Sequence, residues 1–473
     1  MPEDRDAPGR ILHLGLGAFH RAHQVAVLQA LHDRGDTRWQ LAAGNLRGDN
    51  AATEAALVHQ RGAYVLETVT PAGARSYRRI TALGDVVPHA PGQPGLIALG
   101  AEPATRIISF TVTEAGYALD ADDRLDAGHP DIRADLRDWR EGLAGSTVYG
   151  ALAGILDARR RAGAGPVTLL CCDNLRHNGG RSRAGLLQFL ALAGDERLRD
   201  WVLANTTSPD TMVDRITPRP TRDVAVRVLA ATGFDDAAPV MAEDFLQWVV
   251  QEDFCNGRPD WEAVGVEMTG DVAPYEEAKI RLLNAVHSGI AWAGSLAGYD
   301  TIDAAVGDPA IRRIVHDYAT DDAIPCLQAG AIDLSAYRDR VLERFGNAAL
   351  GDTVERVCAD GWAKLPGFIV PTLRERLRAG HAPRRAALLP ALYLAFLQRW
   401  QAGAIAFEVR DTAIDRATVA AICADRDPVA AFCAQPALWD ELAGDPRLVE
   451  VVREARARVA AFEDAARHAV VRP

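Results

Sequence analysis

At 473 residues the chain is too long for one ordinary hydrophobic core, which predicts two domains. Its 48% hydrophobic and 25% charged residues suit a water-soluble globular protein, and no apolar run reaches the roughly 18–20 residues that span a bilayer. A net charge of −12 argues against a nucleic-acid partner, whose phosphates it would repel. The opening Met1-Pro-Glu-Asp-Arg-Asp6 has no apolar signal core, and the seven cysteines contain no CxxC pair. A reducing cytoplasm, unpaired thiols and no cysteine-based metal cluster are expected.

Arg10 to Leu14 is a short apolar run with strand character. It leads into Gly15-Leu-Gly17-Ala18-Phe19-His20 and an amphipathic helix from about Arg21 to Arg34, with Val25, Leu28 and Leu31 recurring. Strand, glycine turn and helix is the context of a dinucleotide fingerprint. Gly15 would permit the tight turn, and Gly17 the approach of a pyrophosphate to the helix start beside Ala18 and Phe19. The third glycine of the usual pattern is replaced by His20. His20 and His23 stand three apart and would in principle share a metal, but no carboxylate or third histidine stands beside them at ligand spacing, so no metal is expected.

Trp39 to Asn45 reads as a second strand, the one that an acidic ribose-binding residue normally closes. Asn45 occupies that place and Asp49 is the first carboxylate beyond it, which favours NAD; Arg47 argues for NADP. Tyr64 to Val69 and Tyr77 to Ile80 read as a hairpin insertion. Arg106 to Thr113 and Val167 to Cys172 are strands that end at Glu114 and at Asp173-Asn174. Polar groups just beyond strand C-termini are where open α/β sheets bind ligands.

From about Pro274 onward helical patterns dominate: Ala278 to Leu296, Pro309 to Tyr318, Leu334 to Phe345, Ala391 to Ala402 and Pro446 to Ala466. The fold expected is α/β, with a Rossmann-type dinucleotide-binding domain carrying insertions over residues 1–271 and a mainly helical substrate domain over residues 272–473. On the first of these helices, at about 100° per residue, Asn284 lies about 140° from Lys279 and His287 about 80°, with Leu283 between at about 40°. An amine, an amide and an imidazole on one partly apolar side suit an alcohol that must lose a proton. Read alone, the trio also fits a solvated lysine, a surface amide and a core histidine.

These patches occur in one order in a known family. The chain resembles the polyol-specific long-chain dehydrogenases, the mannitol dehydrogenase family, in Gly15-Leu-Gly-Ala-Phe-His-Arg-Ala-His-Gln24, Thr111-Val-Thr-Glu-Ala-Gly-Tyr117, Cys172-Asp-Asn174, Met212-Val-Asp-Arg-Ile-Thr-Pro218 and Lys279-x4-Asn284-x2-His287. The likeness continues through Arg344-Phe-Gly-Asn347 and Asp360-Gly-Trp-Ala-Lys364 to Pro371-Thr-Leu-Arg374.

The resemblance implies a metal-independent NAD(P)-linked oxidation of a sugar alcohol to a ketose, with the active site in the cleft between the domains. It makes Lys279 the general base, with the depressed pKa that a neutral amine needs, and sets Asn284 and His287 as donors on the reacting oxygen. Asn174, Asp214, Arg356 and Lys364 would meet the other hydroxyls, and Glu114 would exchange protons with solvent. A plain Asp214–Arg215 ion pair is the competing reading. Within the family Ile11 to His23 and Ala42-Ala-Gly-Asn-Leu-Arg47 look most like the D-arabinitol 4-dehydrogenases. Mannitol 2-dehydrogenase is the alternative, then fructuronate reductase, and an inactive binding protein on the same fold is the alternative from another class. A monomer fits the sequence as well as any oligomer.

Overall fold

A computed structural model describes residues 8–120, 124–328, 332–411 and 413–470. The chain divides into two compact units, the first running to Thr70 and from Ala74 to Ala273, the second made of Pro71–Gly73 and the chain from Pro274 onward.

The strands of the first unit are β1 (Gly9–Leu14), β2 (Trp39–Gly44), β3 (Tyr64–Val69), β4 (Arg75–Ile80), β5 (Leu83–Val87), β6 (Thr105–Phe110), β7 (Val167–Cys171), β8 (Thr206–Thr207), β9 (Thr211–Asp214), β10 (Val240–Glu243), β11 (Gln247–Gln251) and β12 (Glu267–Thr269). Six of them form one sheet in the order β5-β2-β1-β6-β7-β8, with every neighbour parallel. Both faces of a parallel sheet are covered, and the middles of its inner strands are accordingly apolar on both sides. Ile11, Leu41, Ile107 and Leu170 pack on one face with Val25, Leu28 and Leu31. Their chain neighbours Leu12, Ala42, Ile108 and Leu169 pack on the other, against the helix Val148–Ala162. The hairpin β3–β4 is antiparallel and pairs with β10, and β11 lies between β9 and β12 in a third small sheet. From β1 the sheet grows first toward β2 and then, on the other side, toward β6. Open α/β sheets bind ligands at the carboxyl ends of strands at such a reversal.

Two expected elements of the first unit differ. The first helix starts at Ala18 rather than Arg21, breaks at His23 (φ −111°, ψ −84°) and resumes, giving α1 (Ala18–Ala22) and α2 (Gln24–Asp33). The strand expected to reach Thr113 stops at Phe110, because the amides of Val112 and Thr113 turn away to a side chain, Asp173.

Every named element from Ala273 onward among the described residues is a helix or a helical turn. At its centre runs the helix Ala285–Ala297, whose Val286, Ile290, Ala291, Trp292 and Leu296 are all buried. A helix apolar on every side belongs inside a bundle. It packs on the helices Leu388–Gln401, Val354–Cys358, Ile302–Gly307 and Pro309–Asp317. Gly294 allows that closeness: a Cβ there would stand 2.8 Å from the Cβ of Ala305.

Candidate active site

The glycine turn after β1 is tight for a visible reason. Gly15 has φ +120°, and a Cβ there would meet the carbonyl oxygen of Thr111 at 2.6 Å. Only glycine fits that backbone and that approach. Gly17 is the residue before α1, and among the described residues nothing outside its own stretch of chain stands within 4 Å of where its Cβ would be. Ala18 and Phe19 form the first turn of α1. The space above Gly17 is open, as a dinucleotide phosphate requires.

Asn45 ties this turn down. Its Oδ1 accepts from the Leu16 amide at 3.0 Å, and its Nδ2 donates to Glu54 at 3.2 Å. Glu54 in turn accepts from the His89 amide at 2.8 Å. Asn45 therefore shapes the turn with an amide already spoken for. Asp49 is exposed in a single 3-10 turn, Gly48–Asn50, directly beyond β2. Arg47 is exposed as well, and its guanidinium lies 2.6 Å from Asp131.

Across the switch point, Glu114 opens the 3-10 turn Glu114–Tyr117; its side chain lies outside the described part of the structure. The backbone before it is held by Asp173, which follows β7. One Asp173 oxygen accepts from the Val112 amide at 2.8 Å and from the Tyr117 hydroxyl at 2.7 Å, the other from the Thr113 amide at 3.1 Å. Asn174, the next residue, is exposed. Asn178 sews this segment to β9: its Nδ2 donates to the carbonyls of Asp173 (3.0 Å) and Thr211 (2.9 Å), while its Oδ1 accepts from the Thr211 amide at 2.9 Å. Asp214 ends β9 and is buried. The neighbouring Arg215 donates to the carbonyls of Glu243 and Ala22.

In the second unit the expected uniform helix around Lys279 contains a π turn, Lys279–Asn284, flanked by α-helix on both sides. A π turn closes i→i+5 bonds and so inserts one residue into the helix. The insertion rotates everything after it back by about 100°. Asn284 then lies about 40° from Lys279 and His287 about 20° to the other side, a narrower face than a plain helix predicts. Two more π turns, Tyr318–Ala323 and Leu365–Ile369, pack against this one. Arg281 pins it, with Nε 2.8 Å from Glu277 and its two terminal nitrogens 2.9 and 2.6 Å from Glu375. Burial alone would lower the Arg281 pKa, but the two carboxylates raise it further than burial lowers it. Lys279 is buried.

His287 stacks on Phe345, with ring centroids 4.4 Å apart, and its Nε2 lies 3.0 Å from Oδ2 of Asp352. Asp352 also accepts two bonds from Arg356, each 2.7 Å. Burial works to raise the Asp352 carboxyl, yet His287 and Arg356 hold it below the usual carboxylate range. Burial lowers the His287 imidazole, although Asp352 pulls it upward. A neutral imidazole beside a carboxylate carries its proton on Nε2, which leaves Nδ1 bare. In that tautomer the second nitrogen of His287 is left as an acceptor. Lys364 donates to the carbonyl of Val357 at 2.9 Å, and burial lowers its pKa.

His20 and His23 are engaged in the core. The His20 ring lies flat on His13, centroids 3.3 Å apart, and its Nδ1 pairs with Gln24 Oε1 at 3.1 Å. The amide of Gln24 donates to His23 Nδ1 at 3.1 Å, and His23 Nε2 donates to the carbonyl of Gln247 at 3.0 Å. Among the described residues no group of three metal-ligating side chains stands together. Asp173, Asn178 and Asp352 were not singled out in the sequence. The only hint for the last was its spacing of four from Arg356.

A Rossmann sheet with a glycine-tight turn at its switch point, in a chain that also carries a buried lysine on the same helical stretch as an amide and an imidazole, suits a dehydrogenase. The model of the mannitol dehydrogenase Rossmann domain matches residues 9–263, and that of the mannitol dehydrogenase C-terminal domain matches residues 271–460. The chain therefore belongs to the mannitol dehydrogenase family, and it is an oxidoreductase. It is 54% identical to the D-arabinitol 4-dehydrogenase of Ralstonia nicotianae, over 97% of this chain and 98% of that protein. It is 48% identical to the D-arabinitol 4-dehydrogenase of Klebsiella pneumoniae, over 95% and 97%. Among solved structures, the Pseudomonas fluorescens mannitol 2-dehydrogenase in its ternary complex with NAD and D-mannitol superposes with a TM-score of 0.82 at 32% identity, covering 99% of this chain and 95% of that one.

Proposed function

We propose that the protein oxidises D-arabinitol at a secondary carbinol to D-xylulose, with NAD as coenzyme. The observation that supports the mechanism is the π turn Lys279–Asn284, whose inserted residue would narrow the angle that separates Lys279, Asn284 and His287. The substrate rests on the relatives: both D-arabinitol 4-dehydrogenases stand at 48% or above, whereas mannitol 2-dehydrogenases match at 32 to 37%.

Lys279 takes the hydroxyl proton as the carbon–oxygen double bond forms. When bound, the nicotinamide supplies the redox chemistry by accepting the hydride that leaves the carbinol carbon. Asn284 donates to the oxygen on which charge develops. His287, with Nε2–H held by Asp352, accepts at Nδ1 from a substrate hydroxyl. Asn174, Asp214, Arg356 and Lys364 are assigned to the remaining hydroxyls, and Glu114 to passing the proton on to solvent. Gly15, Gly17, Ala18 and Phe19 form the dinucleotide turn, with Asn45 holding it. The close fit of Gly15 against Thr111 and the open space above Gly17 suit that group. Asp49 is assigned to the ribose hydroxyls, which favours NAD over NADP.

Seven unpaired cysteines agree with a reducing cytoplasm, and no described helix is long and apolar enough to cross a membrane. The test is product identity. Incubation with D-arabinitol and NAD should yield NADH and D-xylulose in equal amounts. D-ribulose as the product, or no turnover, would refute the assignment.

A further inference from the structure

Thr113 has φ +66° and ψ 160°, a region essentially reserved for glycine. A β-branched residue stays there only when its surroundings over-determine it. The surroundings are the buried Asp173 carboxylate, which binds the amide of Thr113 itself, the amide before it and the Tyr117 hydroxyl. Tyr117 is fully buried, and its own carbonyl accepts from the Tyr149 hydroxyl at 3.1 Å. A second residue of the segment, Ala118, is also left-handed at φ +45°. A segment that is strained at two positions and clamped by a carboxylate from the neighbouring strand end is held in one form, not merely packed. It follows β6, contains Glu114 and is bound by the residue before Asn174, and both Glu114 and Asn174 are assigned to the reaction.

We propose that Asp173 is a positioning residue: by clamping Val112, Thr113 and Tyr117 it holds the strained segment after β6 in the form that sets the backbone of Glu114 and Asn174 for turnover. The inference rests on the D-arabinitol reading for its kinetic arm and is independent of it for its structural arm. Loss of the clamp lets Thr113 relax to negative φ, which moves Glu114 by a fraction of a residue length, while the glycine turn, which packs on Thr111 just before the clamp, keeps its own support from Asn45.

The test compares wild type, Asp173→Asn and Asp173→Asn/Thr113→Gly. Kinetics with D-arabinitol and titration with NADH give one readout, and hydrogen exchange of the amides over residues 111–118 gives another. In Asp173→Asn, kcat should fall by up to about 10²-fold, the scale of a small misplacement in an active site, with NADH affinity unchanged. The 111–118 amides should exchange faster. Adding Thr113→Gly makes the left-handed conformation unstrained and should restore kcat by about fivefold or more, a rescue that general destabilisation would not give. Unchanged kcat, unchanged exchange or an absent rescue would each overturn the proposal. Should Asp173→Asn not fold, Tyr117→Phe removes one donor only and should show the same changes in smaller measure; unchanged exchange and kcat in it overturn the proposal equally. A wild type inert on D-arabinitol refutes the substrate reading alone, since hydrogen exchange still tests the clamp.

Discussion

Nε2 of His287 and Oδ2 of Asp352 lie 3.0 Å apart, and that one bond decides which nitrogen of the imidazole is left for a substrate. Asp352 is itself held by Arg356, so the orientation of the ring runs back to a guanidinium on the helix Val354–Cys358. Replacing Asp352 by Asn removes the charge that selects the tautomer. We expect kcat/KM for the polyol to fall by about 10- to 100-fold, with NADH affinity unchanged. Steady-state kinetics beside a coenzyme titration checks this, and a variant as active as wild type would show that the tautomer does not matter.

Lys279→Ala should reduce turnover by about 10²- to 10⁴-fold, the usual contribution of a general base, while coenzyme still binds. Single-turnover measurements isolate the chemical step. Retention of more than about a tenth of the wild-type rate there would remove Lys279 from the role of base.

Much of this was legible in the chain. The apolar run of β1 followed by Gly15 and Gly17 announces a dinucleotide turn because strand, glycine and helix are local features. The spacing of Lys279, Asn284 and His287 is local too. The π turn was not legible, since one inserted residue leaves the helical pattern of apolar positions nearly intact and only the packing of the whole bundle reveals it. Asp173, Asn178 and Asp352 escaped for a different reason. Their partners lie 61, 33 and 65 residues away, and no periodicity encodes a bond over that distance. The early end of β6 has the same cause, for Val112 and Thr113 look like strand residues until Asp173 takes their amides.

Asp49→Ala should improve the use of NADP relative to NAD, because a carboxylate at the ribose repels a 2′-phosphate. Arg47→Ala should change the ratio less, since its guanidinium is paired with Asp131. The ratio of kcat/KM for the two coenzymes is the measurement. An unchanged ratio in the Asp49 variant places discrimination elsewhere.

The stacked His13 and His20 make stability depend on pH. Burial drives both imidazoles downward, His20 to about 3, so both are neutral in the folded protein near pH 7. An unfolded histidine takes up its proton near pH 6.5, whereas the folded pair does so only at much lower pH. Between those values the unfolded state binds more protons, so their contribution is complete above pH 6.5 and is lost as pH falls toward 3. His20→Gln should flatten the decline between about pH 6 and 4 by about 1.4 kcal/mol per pH unit, the weight of one proton. Urea unfolding at a series of pH values reads this directly, and parallel curves for variant and wild type would contradict it.

The most direct test of the central claim is the ratio of kcat/KM for D-arabinitol to that for D-mannitol, measured with saturating NAD. Both polyols present a secondary carbinol that Lys279, Asn284 and His287 can serve, so discrimination must come from the distal hydroxyls. A pocket that hydrogen-bonds a hydroxyl rejects a substrate lacking it, because its buried partners are left unpaired. A site built for a six-carbon chain would therefore lose heavily on the shorter polyol. The account predicts that D-arabinitol is oxidised at least as efficiently as D-mannitol. A strong preference for D-mannitol, or activity confined to a uronate, would contradict it.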